Sequence, residues 1–298
     1  MPSVSKVVAN TKQPYGGYIQ PKLFEKIELS RGPCYFTDEN LHPTVVGLAV
    51  DYLSRFVLGC PKEEAFSVSL EGARIEKEML NAWRSFQQAG NSDKSNMVED
   101  YEQIAFDLLE DINGIDDRSI KKACKLVTFD VWKRNPLHAP FASGYSTTSP
   151  NRHTIRNIQH MVRTAHQFDE LFGPITKFKC TFEPPNSNPS AMIEMLQRES
   201  GSYGGYTPTV SSGDGDFLTV DTIWDIKCIN GRINSKHTLQ LLMYYIMGKH
   251  SKQEIYDSVE KLGIYNPRLG VIQVLDTNRI PPEIIINVEK YIFKYSSD

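Results

Sequence analysis

The chain has 298 residues, of which 40% are hydrophobic and 23% are charged, and its formal net charge is −3. This balance is typical of a globular protein of one or two domains, and it excludes a protein that coats nucleic acid through a uniformly basic surface. No apolar run could span a bilayer or form the core of a signal peptide, and the five cysteines are scattered outside C-x-x-C spacing, so the sequence predicts a cytoplasmic protein without a zinc ribbon or an iron–sulfur cluster.

The first half of the chain is predicted to be mainly helical. Apolar residues recur there at helical spacing, which predicts helices at about 42–59, 64–88, 98–112 and 117–133. Residues 134–152 are rich in Pro, Gly, Ser and Thr, as connections between domains are. The sequence therefore predicts a helical N-terminal region over 1–150 and a second domain over 151–298.

The second half alternates helical and extended patterns. In chain order they predict a helix at about 154–172, a strand at 175–183, strands near 207–220 and 222–229, a helix from its N-cap Ser235 to Gly248, strands at 262–266 and 271–276, and a helix opened by Pro281 and Pro282. This order predicts an α/β fold with a mixed central sheet flanked by helices.

The segment SSGDGDFLTVDTIWDIKCIN, residues 211–230, carries the chemistry that the sequence predicts. Residues two apart in a strand share a face, so Asp225 and Lys227 point one way while Trp224 and Ile226 point the other. If the preceding strand pairs with this one, Asp216 lies beside Asp225. Two adjacent carboxylates repel unless a cation lies between them, and hard oxygen ligands suit Mg²⁺ or Mn²⁺.

The pattern resembles that of the PD-(D/E)XK nuclease superfamily, and of its RecB-like exonuclease branch in particular. That pattern runs G-x-x-D, then D/E-x-K on a strand, then Q-x-x-x-Y on a helix. The matching positions are Gly213, Asp216, Asp225, Lys227, Gln240 and Tyr244. Asp225-Ile226-Lys227 is the only D/E-x-K triplet in the chain, and both partner motifs stand where the pattern requires them.

The resemblance implies a restriction-endonuclease-like core that hydrolyses DNA with Mg²⁺, or with Mn²⁺ in its place. Asp216 and Asp225 would be the metal ligands, together with the Ile226 carbonyl. Lys227 would be the catalytic lysine, which assists the attacking water, and Gln240 would orient it. Tyr244 would lie beside the site. No G-x-x-x-x-G-K-[ST] motif occurs, so any motor that served the enzyme would be a separate chain.

Several alternatives remain open at the level of sequence. The protein could be a catalytically silent member of the fold that binds nucleic acid or a partner, with Asp225 and Lys227 forming only an ion pair. Asp214 could replace Asp216 if the strand register differs, although Asp214 and Asp221 are predicted as turn residues. The candidates for a further ligand are Asp51, His166, Glu170 and Glu183. Arg232, Lys236 and His237 either bind phosphate or form a solvated loop.

Overall fold

A computed structural model describes residues 2–88, 99–182, 207, 209–210, 213–251 and 253–295. The chain divides into two compact units: unit 1 is Met1–Pro33, Thr164–Asn188 and Leu196–Asp298, and unit 2 is Cys34–Arg163 and Pro189–Met195. The division therefore differs from the predicted one at 150/151, because the first 33 residues group with the C-terminal half. None of the described helices combines the length and hydropathy that a bilayer crossing requires.

The described helices are α1 (Val4–Asn10), α2 (Pro43–Val57), α3 (Lys62–Ala65), α4 (Ser67–Gln88), α5 (Tyr101–Glu110), α6 (Asp117–Leu126), α7 (Asp130–Arg134), α8 (Arg152–Phe172), α9 (Ser235–His250) and α10 (Pro282–Asn287), which continues as a π-helix over Val288–Phe293. Apart from α1, which was not predicted, the described helices lie close to the predicted positions, and the helix predicted at 117–133 is divided into α6, a 3₁₀ turn and α7. Short 3₁₀ turns occupy Pro21–Leu23, Val127–Phe129, Ala139–Phe141, Glu254–Tyr256 and Thr277–Arg279. Asn234, not the predicted Ser235, is the N-cap of α9, because its side chain accepts from the amides of Lys236 and His237.

Unit 2 is helical and holds a buried polar network. Asp130, which is 1% exposed, accepts hydrogen bonds from Tyr52 (2.5 Å), Ser69 (2.5 Å) and Arg134 (3.2 Å). These donors come from α2, α4 and α7, so the carboxylate fixes three helices to one another. A buried carboxylate is tolerated where several donors satisfy it, and this one therefore has a structural explanation.

Unit 1 contains a five-stranded mixed sheet. Its strands are β1 (Glu25–Glu28), β4 (Phe217–Leu218), β5 (Thr222–Ile226), β6 (Lys261–Asn266) and β7 (Val271–Asp276), in the spatial order β1-β7-β6-β5-β4. Only β5 and β6 are parallel, and the other neighbours in the sheet are antiparallel. Helix α9 makes the crossover that a parallel pair requires. A separate two-stranded ladder pairs β2 (Cys180–Thr181) with β3 (Asp214–Gly215).

Both faces of the sheet are covered, so β5 is buried on both sides. On one face Trp224 packs against Phe168 and Phe172 of α8. On the other, Ile223 joins a core with Leu242 of α9, residues of α1 and the C-terminal π-helix. Asp225 shares the face of Ile223, and its charge therefore points toward the larger core and not toward solvent.

Several strands differ from the predictions. In the described part of the segment near 207–220, the strands are the short β3 and β4, which belong to different sheets. Within the predicted strand 175–183, the described residues 175–182 form the short β2 and a bridge between Lys177 and Leu218. Strand β1 was not predicted, since all four of its residues are exposed and its sequence has no alternation. It forms because its backbone pairs with β7, for example Glu28 with Val271, at the edge of the sheet.

A glycine on β6 makes room for the largest buried side chain. Gly263 pairs with Trp224, and a Cβ at this position would lie 2.2 Å from Trp224 Cε3. Gly263→Ala is therefore expected to lower the free energy of unfolding by about 1–3 kcal/mol, as overpacked cores do. Urea denaturation measures this, with Gly114→Ala as the matched control because its Cβ would meet nothing within 4 Å. Equal stability of the two variants would contradict the packing described here.

Candidate active site

Strand pairing brings the two predicted metal ligands together. Phe217 of β4 lies opposite Trp224 of β5, and Asp216 precedes Phe217 where the paired register ends. The Asp216 amide donates to the Trp224 carbonyl at 3.3 Å, and the Asp216 carboxylate accepts a short hydrogen bond from the Ile226 amide. These contacts bring the Asp216 carboxylate to the β5 backbone next to Asp225, whereas Asp214, in β3, pairs with Thr181.

Asp225 is a buried carboxylate held against a lysine. Its side chain is 3% exposed, and Lys227 Nζ lies 2.8 Å from Oδ2 and 3.0 Å from Oδ1. The contact with Oδ2 does not have the angle of a hydrogen bond, so this buried oxygen has no hydrogen-bond partner in the described part of the chain. Burial raises the pKa of Asp225 to about 6; the Lys227 ammonium opposes the shift and the Asp216 charge adds to it.

Helix α9 holds Lys227 from the other side. Lys227 Nζ donates to Gln240 Oε1 at 3.1 Å, and Gln240 Nε2 donates to the Tyr244 hydroxyl at 2.7 Å. Because an ammonium group can only donate, the amide oxygen of Gln240 must face it, and the amide nitrogen then faces Tyr244. Gln240 and Tyr244 lie one turn apart on α9, so the helix fixes the whole chain of hydrogen bonds.

Gly213 lets neighbouring side chains pack closely, Tyr244 among them. A Cβ on Gly213 would lie 2.9 Å from Val4 Cγ2 and 3.1 Å from Tyr244 Cε1. The Tyr244 ring is buried, which raises the pKa of its hydroxyl; the charges of Asp225 and Asp214 also raise it. Gly213 therefore has a packing role: it lets the ring approach β3 and reach Gln240.

His237 is a neighbour of the site that the sequence left undecided. The Asn234 amide donates to His237 Nδ1 at 3.2 Å, which completes a capping box at the start of α9. Burial, followed by the charge of Lys227, lowers the pKa of His237 to about 4. The imidazole is therefore neutral at pH 7, with its proton on Nε2 because Nδ1 is an acceptor.

The structure places the other candidate residues in different surroundings. Asp51 belongs to unit 2, where Arg55 binds both of its oxygens at 2.8 and 2.7 Å. His166 and Glu170 are exposed on α8, and Glu183 lies outside the described residues. Asp221 is a turn residue, as predicted, and forms an ion pair with Lys261 at 2.7 Å. Asp214 was also predicted in a turn but lies in β3 opposite Thr181.

The oxygen atoms of the site can be compared with the ligands that Mg²⁺ binds in proteins. The described residues contain no group of three or more His, Cys, Asp and Glu side chains that could hold a metal. They do supply Asp216 and Asp225, and Oδ2 of the latter is a buried acceptor without a hydrogen bond. Mg²⁺ binds through one or two carboxylates and completes its shell with water and phosphate oxygens, so these two residues fit it.

A groove of about 860 Å³ opens at the same end of the sheet. Glu28 of β1, Val271 of β7 and Asn266 of β6 line it, and Asn266 follows Tyr265, whose carbonyl accepts from the Lys227 amide at 2.9 Å. Its charged lining residues are Lys22, Lys26, Glu28 and Arg232. Of these, Lys26 and Glu28 pair at 2.6 Å, which leaves the groove with a net positive charge. No sequence signal marks Lys22 or Lys26, since the groove depends on the pairing of β1 with β7.

The fold and this geometry define a mixed α/β protein with an acidic pair and a lysine at one end of a helix-flanked sheet. No family model, curated protein or solved structure matches the chain. The assignment of a function therefore depends on the chemistry of the site.

Proposed function

We propose that the protein is a Mg²⁺-dependent nuclease that hydrolyses phosphodiester bonds in DNA. The observation that carries the proposal is the grouping of the Asp216 carboxylate, held at the Ile226 amide, with Asp225 and with Lys227, whose Nζ lies 2.8 Å from Asp225 Oδ2. An ion pair that served stability alone would not need a second carboxylate beside it, which adds repulsion inside a buried site. The motif order supports the proposal through its resemblance to the RecB-like branch of PD-(D/E)XK nucleases.

Each residue of the site has a role in this proposal. Asp216 and Asp225 would hold the divalent cation, Mg²⁺ or Mn²⁺, and the resemblance implies the Ile226 carbonyl as a further oxygen ligand. Such a cation lowers the pKa of bound water and neutralises charge on the phosphate. Lys227 Nζ holds the attacking water or the phosphate oxygen on which charge grows.

Gln240 acts through Lys227. Its amide oxygen accepts from Nζ, while the Asp225 carboxylate holds Nζ from the opposite side. A long lysine side chain has considerable rotamer entropy, and two fixed partners reduce the number of positions available to the ammonium group. Gln240 is therefore a positioning residue in this mechanism.

The groove beside the site supports a polymeric anionic substrate. Within the described part of the chain, Lys22 and Arg232 form no ion pair, so both are available to phosphates. Contacts of this kind bind the sugar–phosphate backbone without reading sequence.

The proposal is tested by incubating the protein with linear, nicked, circular and single-stranded DNA, and with RNA, in Mg²⁺, Mn²⁺ or EDTA. We expect DNA cleavage with either metal. We expect none with EDTA, because the two carboxylates cannot activate water without a bound cation. Cleavage that persists in EDTA contradicts the mechanism. Binding of DNA without cleavage in either metal supports the silent, binding member of the fold instead, and cleavage confined to RNA changes the substrate class.

A further inference from the structure

A cationic and aromatic surface lies on unit 2, on residues that the proposed nuclease site does not use. Tyr35 and Phe36 flank helix α8 there, and together with Arg156, His160 and Arg163 they line a cavity of about 160 Å³. We call these five residues the Arg–aromatic face. We propose that this face binds single-stranded nucleic acid by stacking bases on its rings and pairing phosphates with its arginines.

The arginines form a stripe along α8. Arg152, Arg156 and Arg163 are four and seven residues apart, which places them within about 40° of one another around the helix axis. All three are exposed, and none forms an ion pair within the described part of the chain. Acidic groups do lie nearby, but Asp38 contacts His153 at 3.6 Å and Glu39 contacts Asn157 at 2.5 Å. The guanidinium groups therefore remain available to an anionic ligand.

The two rings are exposed, and each contacts a histidine ring of α8. Tyr35 is 75% exposed and meets His160 edge-on, with centroids 5.8 Å apart. Phe36 is 37% exposed and stacks on His153 at 4.8 Å. A solvent-exposed aromatic ring that is already fixed loses little entropy when a planar ligand stacks on it.

Hydrogen bonds attach the segment that carries the rings to α8. Asn157 Nδ2 donates to the Phe36 carbonyl at 2.8 Å, and the amide of Asn40 donates to Thr154 at 3.1 Å. Asn151 donates through its side chain to the Asp38 carbonyl at 2.7 Å. The rings therefore belong to a preformed surface, in which an aromatic row and an arginine row run beside each other.

The combination of exposed rings and arginines indicates the class of ligand that the Arg–aromatic face binds. Rings and guanidinium groups both stack on base faces, and guanidinium groups also bind phosphates. Bases expose both faces only when they are unpaired, so a single strand can use the whole surface while a duplex offers only its backbone. The cavity between Tyr35 and Arg156 is of a size for one planar ring system, not for a helix or a strand of another protein.

Fluorescence anisotropy with labelled oligothymidylate and oligouridylate tests the inference on the full chain in EDTA, where no cleavage interferes. We expect Tyr35→Ala to weaken binding roughly tenfold and Tyr35→Trp to retain it, because stacking needs a ring. The double variant R156E/R163E is expected to weaken binding at least as much and to reduce the salt dependence. The two oligonucleotides distinguish a DNA-binding from an RNA-binding surface.

Matched controls come from the same unit. Phe141→Ala removes a ring that is 87% exposed elsewhere in unit 2, and Lys121→Glu reverses an exposed charge on α6. Both should bind like the unaltered protein.

The inference is overturned if Tyr35→Ala also binds normally, if the unaltered protein binds neither oligonucleotide, or if duplex DNA or polyphosphate competes as well as the single strand. Loss of cleavage by the Asp225 site would leave these binding results unaffected, so the two proposals fail separately.

Discussion

Lys227→Met is expected to reduce Mg²⁺-dependent DNA cleavage at least about 100-fold, because the ammonium group that assists the reaction is lost while the apolar stem remains. The substitution keeps a straight side chain of similar length in a half-buried position. Its effect should therefore appear in kcat, since the lysine acts on charge that develops only in the transition state. Single-turnover cleavage of a labelled linear duplex measures it.

The chain offers a matched control for this variant. Lys261 and Asp221 form a second lysine–aspartate pair, at 2.7 Å, at the opposite end of β5 and β6. Lys261→Met removes an ammonium group from the same sheet but should leave cleavage within about twofold of the unaltered protein, since exposed pairs contribute little. Gln240→Leu should fall between the two variants. If Lys227→Met cleaves as fast as Lys261→Met, the assigned role of Lys227 is wrong.

Asp225→Asn is expected to abolish cleavage and yet to stabilise the protein at neutral pH when no metal is present. The folded-state pKa of about 6 lies above the value near 4 of an unfolded aspartate. Folding therefore favours the protonated form, and the stability that this form contributes is complete below about pH 4 and is lost as the pH rises through about 6. The uncharged side chain of the Asp225→Asn variant does not lose this stability. For a pKa shift of this size, the loss is about 3 kcal/mol in the free energy of unfolding.

Urea denaturation in EDTA, from about pH 4 to about pH 8, measures the effect. The stability gained by Asp225→Asn should be about 1–3 kcal/mol at the upper end and should vanish at the lower end, because Lys227 keeps Gln240 as an acceptor. Added Mg²⁺ should stabilise the unaltered protein but not the variant. A gain that is independent of pH would contradict the raised pKa.

Asp221→Asn serves as the control, because it is expected to lower the free energy of unfolding at neutral pH and not to raise it. Burial acts to raise the pKa of Asp221, but hydrogen bonds from Lys261 and Thr222 outweigh it and the pKa is lowered. The carboxylate therefore stabilises the fold above the unfolded pKa, and this contribution is lost as the pH falls through the folded one. Because both partners are more than a third exposed, we expect a loss below about 1 kcal/mol at neutral pH.

Local patterns predicted the elements around the site. The extended pattern at 222–229 predicted a strand, and β5 occupies Thr222–Ile226 of it. The amphipathic spacing after 234 predicted a helix, and α9 places Gln240 and Tyr244 on one side of it. Strict alternation in β5 also placed Asp225 and Lys227 on one face, as their 2.8 Å contact confirms.

Other features of the structure could not be predicted from local sequence patterns. Strand β1 is short, exposed and charged, and it exists only because β7 offers a backbone to pair with. The grouping of residues 2–33 with the C-terminal half follows from that pairing and from the packing of Val4 and Val8 into the core of unit 1. The groove and its lysines depend on the same long-range contact, which no window of sequence contains.

The sequence by itself determined the identity and spacing of the acidic and basic groups, because periodicity in a strand and in a helix is a local property of the chain. Tertiary structure alone decided that the Asp216 carboxylate meets the Ile226 amide, that both faces of β5 are covered, and that the Asp225 carboxylate is buried enough for its pKa to rise. Register, burial and electrostatic environment are set by segments distant along the chain, and the free energy that selects them belongs to the whole packed unit.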